Sequence, residues 1–152
     1  MDLQQMDFKN KTFLIAEIGS NHNNDLQLTL RLIDEVANAG FDSVKFQLYD
    51  AKQAFSASVS TADVGLQDVY GERPWWTVAR DEIVMSRDWF KICFDHAREN
   101  GLIPFSTVHR PEDLNFLVDE LGSEILKIAS IDLCYYQLLE RVVQVDRPLL
   151  VS

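Results

Sequence analysis

Short apolar runs alternate along the chain with segments whose apolar residues recur at helical spacing. Each run is nearly continuous in apolar residues, as expected for strands that are covered on both faces in a parallel sheet. The predicted strands are TFLIAEIG (12–19), SVKFQLY (43–49), LIPFSTV (102–108), EILKIASID (124–132) and RPLLVS (147–152).

The segments between these runs predict four helices, at 26–40, about 87–100, 111–122 and 135–144. Glycines follow three of them and are natural helix ends. Ser86 is a suitable N-cap, and Pro111 suits a first helical turn. Residues 50–85 contain small polar residues, Gly71 and Pro74, and predict a long excursion with little regular structure.

Repeated strand–helix alternation predicts an α/β fold with a parallel sheet and right-handed crossovers. A doubly wound sheet usually has a Gly-rich phosphate loop after its first strand, and GSNHNN (19–24) is not GxGxxG. In a (β/α)8 TIM barrel, functional residues cluster at the carboxyl ends of several strands. The pattern favours the N-terminal portion of such a barrel, about strands one to five, in one domain over 1–152.

Polar side chains lie near the carboxyl end of every predicted strand, and the amino ends are comparatively bland. They are Glu17, Asn21 and His22, then Lys45 and Gln47, then Ser106, Thr107 and His109, then Lys127, Ser130 and Asp132, then Ser152. The two strand lysines are predicted to share one register and to be buried. A buried ammonium needs a partner, which an anionic ligand would supply.

Each of these residues also has a structural interpretation. Glu17 fits an ion pair with one of the lysines as well as it fits a ligand contact. His22 and His109 are more typical of loop and helix-cap residues, and Trp75 and Trp76 more typical of loop packing. No HxxH or paired-Cys spacing occurs, so no metal site is predicted from this segment alone.

Composition and charge exclude further classes of function. The chain has 152 residues, 47% of them hydrophobic, and a net charge of −10 without a Lys/Arg block, which argues against nucleic-acid and membrane-surface binding. The N-terminal residues contain no apolar signal core, and no run approaches a membrane span. Cys93 and Cys134 are predicted to be two buried free thiols in a reducing cytoplasm.

Four motifs in order, IAEIGSNHNND (15–25), AGFDSVKFQLYD (39–50), GLIPFSTV (101–108) and ILKIASIDL (125–133), closely resemble the N-acetylneuraminate (sialic acid) synthase family. This family includes the synthases of sialic, legionaminic and pseudaminic acids and related spore-coat polysaccharide proteins. The resemblance implies condensation of phosphoenolpyruvate with a 2-acetamido sugar aldehyde such as N-acetylmannosamine. It also implies a TIM barrel, a divalent metal (manganese or magnesium) and a homodimer in the full-length form.

The resemblance also implies residue roles. Lys45, Gln47, Thr107, Lys127, Ser130 and Ser152 would hold phosphoenolpyruvate, and the lysines would balance charge during the reaction. Glu17 would contact the sugar. Asp132 stands where the family often has Glu, near the water that adds to C2, so its shorter side chain is a departure. Asn24 is another departure, since the family usually has Gly there.

A complete barrel takes about 250 residues. By the resemblance, the later strands with two metal-ligating histidines and the small C-terminal antifreeze-like domain are absent from this chain, which alone is expected to be inactive. A second hypothesis is a non-catalytic half-barrel that binds an anion or a partner half-barrel. A third is another phosphoenolpyruvate aldolase, such as the sugar-acid synthases of lipopolysaccharide or the shikimate route, which fits the NHNN and KIAS strings less well.

Overall fold

The computed structural model describes residues 11–152. Five strands form one sheet in which every neighbouring pair is parallel. The strands are β1 (Ile15–Gly19), β2 (Ser43–Gln47), β3 (Ile103–Thr107), β4 (Leu126–Ile128) and β5 (Leu149–Val151). The expectation that the extreme N-terminus lacks a signal core falls largely on residues 1–10, outside the described residues.

The spatial order of the strands is β1-β2-β3-β4-β5, the same as their order along the chain. A doubly wound sheet would reverse direction from an inner strand and give a non-sequential order. Each crossover instead steps to the next position, as in a TIM barrel. The prediction of an α/β fold of barrel type, over its first five strands, is therefore confirmed.

Helices connect the strands and cover one face of the sheet. They are α1 (Leu26–Asn38), α2 (Ala51–Ala54), α3 (Gln67–Tyr70), α4 (Trp75–Val78), α5 (Arg87–Glu99), α6 (Pro111–Asn115) and α7 (Tyr136–Val142). Two π-helical turns, Ala79–Ile83 and Phe116–Glu120, continue α4 and α6, and a 3-10 turn, Ser130–Asp132, follows β4. No helix within residues 11–152 is long and apolar enough to cross a membrane.

The main core lies between the sheet and these helices. Phe46 of β2 is fully buried there, with its ring stacked 5.7 Å from Phe94 and edge-on at 6.2 Å from Phe90, both of α5. Burial of each such phenylalanine contributes about 1.5–3 kcal/mol. The opposite face of the sheet has a smaller apolar cluster, formed around Ile103 and Phe105 of β3. Because successive side chains of a strand point to opposite faces, the strand residues between those of the main core point to this second face. We call it the inner face.

The excursion over 50–85 contains more regular structure than predicted. Asp50 caps α2 by accepting a hydrogen bond from the Lys52 backbone N–H at 2.9 Å. Thr61 is buried and donates its hydroxyl to the Gly71 carbonyl at 2.6 Å. The prediction of little regular structure is wrong here because helices of four residues have no readable period, yet local caps and turns suffice to order them.

Three other details correct the sequence prediction. β4 ends at Ile128, and the rest of the predicted strand turns into the 3-10 segment. Ser86 precedes α5 but makes no side-chain cap hydrogen bond. Cys134 is exposed, because it lies in the connection between that 3-10 turn and α7. Cys93 is buried as predicted, and burial raises the pKa of its thiol to about 12.

The turn after β1 uses two left-handed asparagines. Asn23 and Asn24 have φ angles of 48° and 52°. Asparagine tolerates this region better than most residues. The Asn24 amide also donates to the Asp81 carbonyl at 2.9 Å, which ties this turn to the excursion.

Candidate functional site

Register places the predicted strand residues in two rows on the inner face. Glu17 pairs with Lys45, and Lys45 pairs with Phe105. The row above, nearer the carboxyl ends, contains Gln47, Thr107 and Lys127. The prediction that Lys45 and Lys127 share one register is wrong. Lys45 pairs with Phe105, whereas Lys127 pairs with Thr107, so Lys127 lies two residues closer to the carboxyl edge of the sheet.

The lower row holds an ion pair. The Lys45 ammonium lies 2.5 Å from Glu17 Oε2, with 10% and 47% of the two side chains exposed. The carboxylate therefore supplies the partner that a buried ammonium needs. This is the structural interpretation of Glu17 put forward from the sequence; a contact of Glu17 with a sugar stays a prediction.

The upper row carries a cation without an anionic partner. Lys127 Nζ donates to Ser152 Oγ at 2.5 Å and to the Ile128 carbonyl at 3.2 Å, both neutral groups. Within residues 11–152, no carboxylate forms an ion pair with it. Lys127 is half-buried, less than predicted, and its neighbour Thr107 is buried. This corner of the inner face can accept an anion.

Ser130 is placed apart from that corner. It begins the 3-10 turn after β4 and is exposed. The structure therefore brings together Gln47, Thr107, Lys127 and Ser152, and leaves Ser130 without a direct hydrogen bond to them among the described residues. Its role in ligand binding stays a prediction.

A cavity of about 510 Å³ opens beside this row, at the carboxyl ends of β2, β3 and β4. Of the predicted site residues, it contains Gln47 and Asp132. Aromatic rings form much of its wall: Tyr49, Phe55 and Tyr135. Burial raises the pKa of the Tyr49 phenol, which therefore stays protonated at neutral pH.

Asp132 is held in this cavity by His109, for which the sequence favoured a structural role. Its Oδ2 lies 2.8 Å from His109 Nδ1, and the His109 ring meets Tyr49 edge-on at 6.3 Å. From the sequence, His109 was interpreted as structural. Its position two residues after β3 was the available signal, because β3 and β4 are neighbours and their following residues meet at one edge.

Arg110 also lines the cavity, but its charge is already balanced. Its guanidinium donates to both carboxylate oxygens of Asp113, at 2.8 and 3.0 Å, and that carboxylate raises the pKa of Arg110. A bidentate pair of this kind is stable and directional. Arg110 therefore shapes the rim of the cavity, and Lys127 remains the better anchor for an anion.

His22 lies in the turn after β1, apart from this row. It is buried, its Nδ1 accepts the Asn24 backbone N–H at 3.0 Å, and burial lowers its pKa. Its Nε2 has no hydrogen-bond partner among residues 11–152. Groups of three or more His, Cys, Asp or Glu side chains that could hold a metal ion are not found in that range either.

Comparison with known proteins gives consistent matches. N,N'-diacetyllegionaminic acid synthase of Campylobacter jejuni is 30% identical over 142 residues, covering 93% of this chain and 42% of that protein. Spore coat polysaccharide biosynthesis protein SpsE of Bacillus subtilis is 32% identical over 141 residues, covering 92% and 36%. The chain thus spans less than half of the length of these curated relatives.

Structural comparison agrees. The N-acetylneuraminic acid synthetase of Leptospira borgpetersenii, solved in complex with citrate, matches with a TM-score of 0.75 and 34% identity, over 94% of this chain and 45% of that one. The sequence profile of the NeuB family matches residues 32–152. The sheet order, the strand-end residues and these matches together lead to one conclusion: the chain belongs to the NeuB family.

Proposed function

We propose that this chain provides the phosphoenolpyruvate-binding part of a synthase that joins phosphoenolpyruvate to a 2-acetamido sugar aldehyde. The products would be a nonulosonic acid and phosphate. The observation that carries the proposal is the unpaired Lys127 cation on the inner face, next to Thr107 and Ser152. Names of relatives in the family, among them a legionaminic acid synthase, support the reaction class.

The chemistry of the ligand matches this corner. Phosphoenolpyruvate carries a phosphate and a carboxylate, and charge-assisted hydrogen bonds from ammonium and hydroxyl groups suit both. Buried Thr107 lies next to Lys127 in the same row, and the amide of Gln47 lies one strand farther along it. Lys45, one row below, is paired with Glu17. When Glu17 turns toward the sugar, the Lys45 ammonium would add positive charge to the phosphoenolpyruvate site. Ser130 would join the site on ligand binding.

The reaction would proceed in three steps. The methylene carbon of phosphoenolpyruvate attacks the aldehyde carbon, C2 becomes cationic and adds water, and the resulting tetrahedral intermediate expels phosphate. Asp132 lines the cavity beside this row, and its carboxylate would orient the water that adds to C2. Lys127 and Lys45 would balance the anionic charge throughout.

A divalent metal, when bound, would polarise the aldehyde oxygen. The resemblance assigns its histidine ligands to later strands, and residues 11–152 do not supply a cluster for it by themselves. The proposal includes a dependence on the metal and a dimer of the full-length form. It also includes a cytoplasmic location, because phosphoenolpyruvate is made there.

Titration calorimetry with phosphoenolpyruvate tests the binding claim on this chain. Lys127→Met should weaken binding about tenfold to 150-fold, because a hydrogen bond from a charged group is worth about 1.5–3 kcal/mol. Lys91→Met is the matched control: this lysine is 73% exposed on α5 and pairs with Asp95. Equal affinity of both variants and the wild type would refute the assignment of Lys127.

A second candidate function rests on the edge strand β5. Its residues Leu149, Leu150 and Val151 are exposed, and among residues 11–152 the strand pairs only with β4. A strand edge that is left unpaired is a template for association. This favours a half-barrel that pairs with a second half-barrel. Size-exclusion chromatography separates the two states, and a stable monomer of this chain would count heavily against an open half-barrel.

A further inference from the structure

The His109–Asp132 pair of the cavity contains one residue, His109, to which the proposed function gives no role. Its two members come from different connections, His109 after β3 and Asp132 from the 3-10 turn after β4. Their side chains are 24% and 13% exposed, so the pair is partly shielded from solvent. Both line the cavity of about 510 Å³.

The contact fixes which ring nitrogen carries the proton. An ionised carboxylate only accepts hydrogen bonds, so Nδ1 of His109 is the donor to Asp132. In the neutral ring, Nε2 then has a free lone pair. We find no hydrogen bond to Nε2 within residues 11–152. The edge-on contact with Tyr49 limits rotation of the ring. A carboxylate behind one ring nitrogen and a lone pair on the other is the arrangement of a general base.

The other ionisable groups of the cavity are engaged or protonated. Asp50 accepts the Lys52 backbone N–H as the cap of α2, and Arg110 is paired with Asp113. Burial raises the pKa of the Tyr49 phenol. Tyr135, the remaining ionisable group of the lining, is a phenol, which is a poor base. At neutral pH, none of these groups is as well prepared as His109 to accept a proton.

We propose that His109 is the general base that activates the attacking water, and that Asp132 is its positioning residue. This inference rests on the proposed synthase function. His109 Nε2 takes one proton from water while the water oxygen forms its bond to the cationic C2. The imidazolium keeps its second proton on Nδ1, facing Asp132. The proton then passes, through solvent, to the alkoxide that the aldehyde oxygen became. The bond from C2 to the phosphate oxygen breaks as the C2 hydroxyl becomes the ketone, and the hydroxyl proton leaves with the phosphate as hydrogen phosphate.

The pair also accounts for the shorter carboxylate at position 132. Asp in place of Glu draws the carboxylate oxygen back by about one carbon–carbon bond, and a shift near 1 Å can be costly in catalysis. The imidazole of His109 contacts that carboxylate and lines the same cavity. Asp132 acts through His109, and a direct contact with water is unnecessary.

The chain contains a matched control pair. His96 Nε2 lies 2.6 Å from Asp34 Oδ1, in a contact between α5 and α1. Neither residue lines the described cavity at the strand ends. His96→Gln removes the same chemical group as His109→Gln from a similar His–Asp contact, and should leave the reaction unchanged.

Phosphate release from phosphoenolpyruvate and a 2-acetamido sugar, by the full-length natural polypeptide that carries this sequence, tests the assignment. His109→Gln should lower kcat about 10²–10⁴-fold, the usual contribution of a general base, and change the KM for phosphoenolpyruvate little. The fall of kcat toward acid pH in the wild type should disappear in this variant. Wild-type kcat in His109→Gln would overturn the proposal.

A second readout does not depend on activity. Long-range ¹H–¹⁵N NMR of this chain should show His109 as the Nδ1-protonated tautomer, and Asp132→Ala should remove that preference. An Nε2-protonated ring in the wild type would contradict the assignment. If the wild-type polypeptide releases no phosphate with any sugar, the synthase function fails and this inference fails with it. An active wild type with an unaffected His109→Gln variant refutes the inference alone.

Discussion

The ion pair between Glu17 and Lys45 gives a quantitative prediction for the inner face of the sheet. Glu17→Gln removes the carboxylate and leaves a Lys45 ammonium whose side chain is only 10% exposed. Breaking a fully buried pair costs about 3–5 kcal/mol. An exposed pair is worth about 0.2–1 kcal/mol. Since the Glu17 side chain is 47% exposed, we expect a loss of about 1–3 kcal/mol in the free energy of unfolding.

Lys45→Met should cost less than Glu17→Gln, because the carboxylate that remains is half in water. The double variant leaves no unpaired charge, so its loss should fall short of the sum of the two single losses. We expect a coupling energy of about 1–2 kcal/mol. Urea unfolding of the wild type, both single variants and the double variant measures this, provided that the dependence on urea concentration is the same in all four.

Additive losses, equal to the sum within about 0.5 kcal/mol, would contradict the ion pair as a stabilising contact. That result would favour Lys45 as a residue held ready for a ligand. A clear coupling would instead mean that Glu17 leaves Lys45 only when binding of an anion compensates the loss.

Two other changes test the structure away from this row. Asp42 accepts the Leu14 backbone N–H, which with Lys11 holds the pKa of the Asp42 carboxyl below its usual value of 3.8. Its stabilisation is therefore complete above that value and is lost as pH falls below it. The gap in unfolding free energy between wild type and Asp42→Asn, about 1–3 kcal/mol near neutral pH, should close in acid; a constant gap would contradict this. Asn24→Ala should be about 1–2 kcal/mol less stable than Asn24→Gly, because alanine at φ 52° is strained; equal stability in thermal unfolding would contradict the left-handed turn.

The elements that could be predicted from the sequence are those with a strong period or a clear end. The apolar run around Val44 and Phe46 marked β2 because both faces of that strand are covered, and the helical period predicted α1 and α5. The meeting of polar strand-end side chains at one edge was also predictable, since parallel strands bring their carboxyl ends together.

Other features depend on contacts that no local pattern encodes. The register of β4 against β3 places Lys127 beside Thr107, and this shift is set by packing across the sheet. The contact between His109 and Asp132 joins residues from neighbouring connections, so the local sequence around either residue does not predict it. The exposure of Cys134 follows from the early end of β4 at Ile128, where the chain turns out of the sheet.

Phosphate release by the full-length natural polypeptide is the measurement that tests the central claim most directly. Phosphoenolpyruvate, a divalent metal and a panel of 2-acetamido sugar aldehydes would be supplied, with sugar-free reactions as the control. The synthase function predicts that phosphate appears only with an accepted sugar, in equal amount to a nine-carbon 2-keto acid. An absence of phosphate release with every sugar, from folded protein that binds the metal, would contradict it.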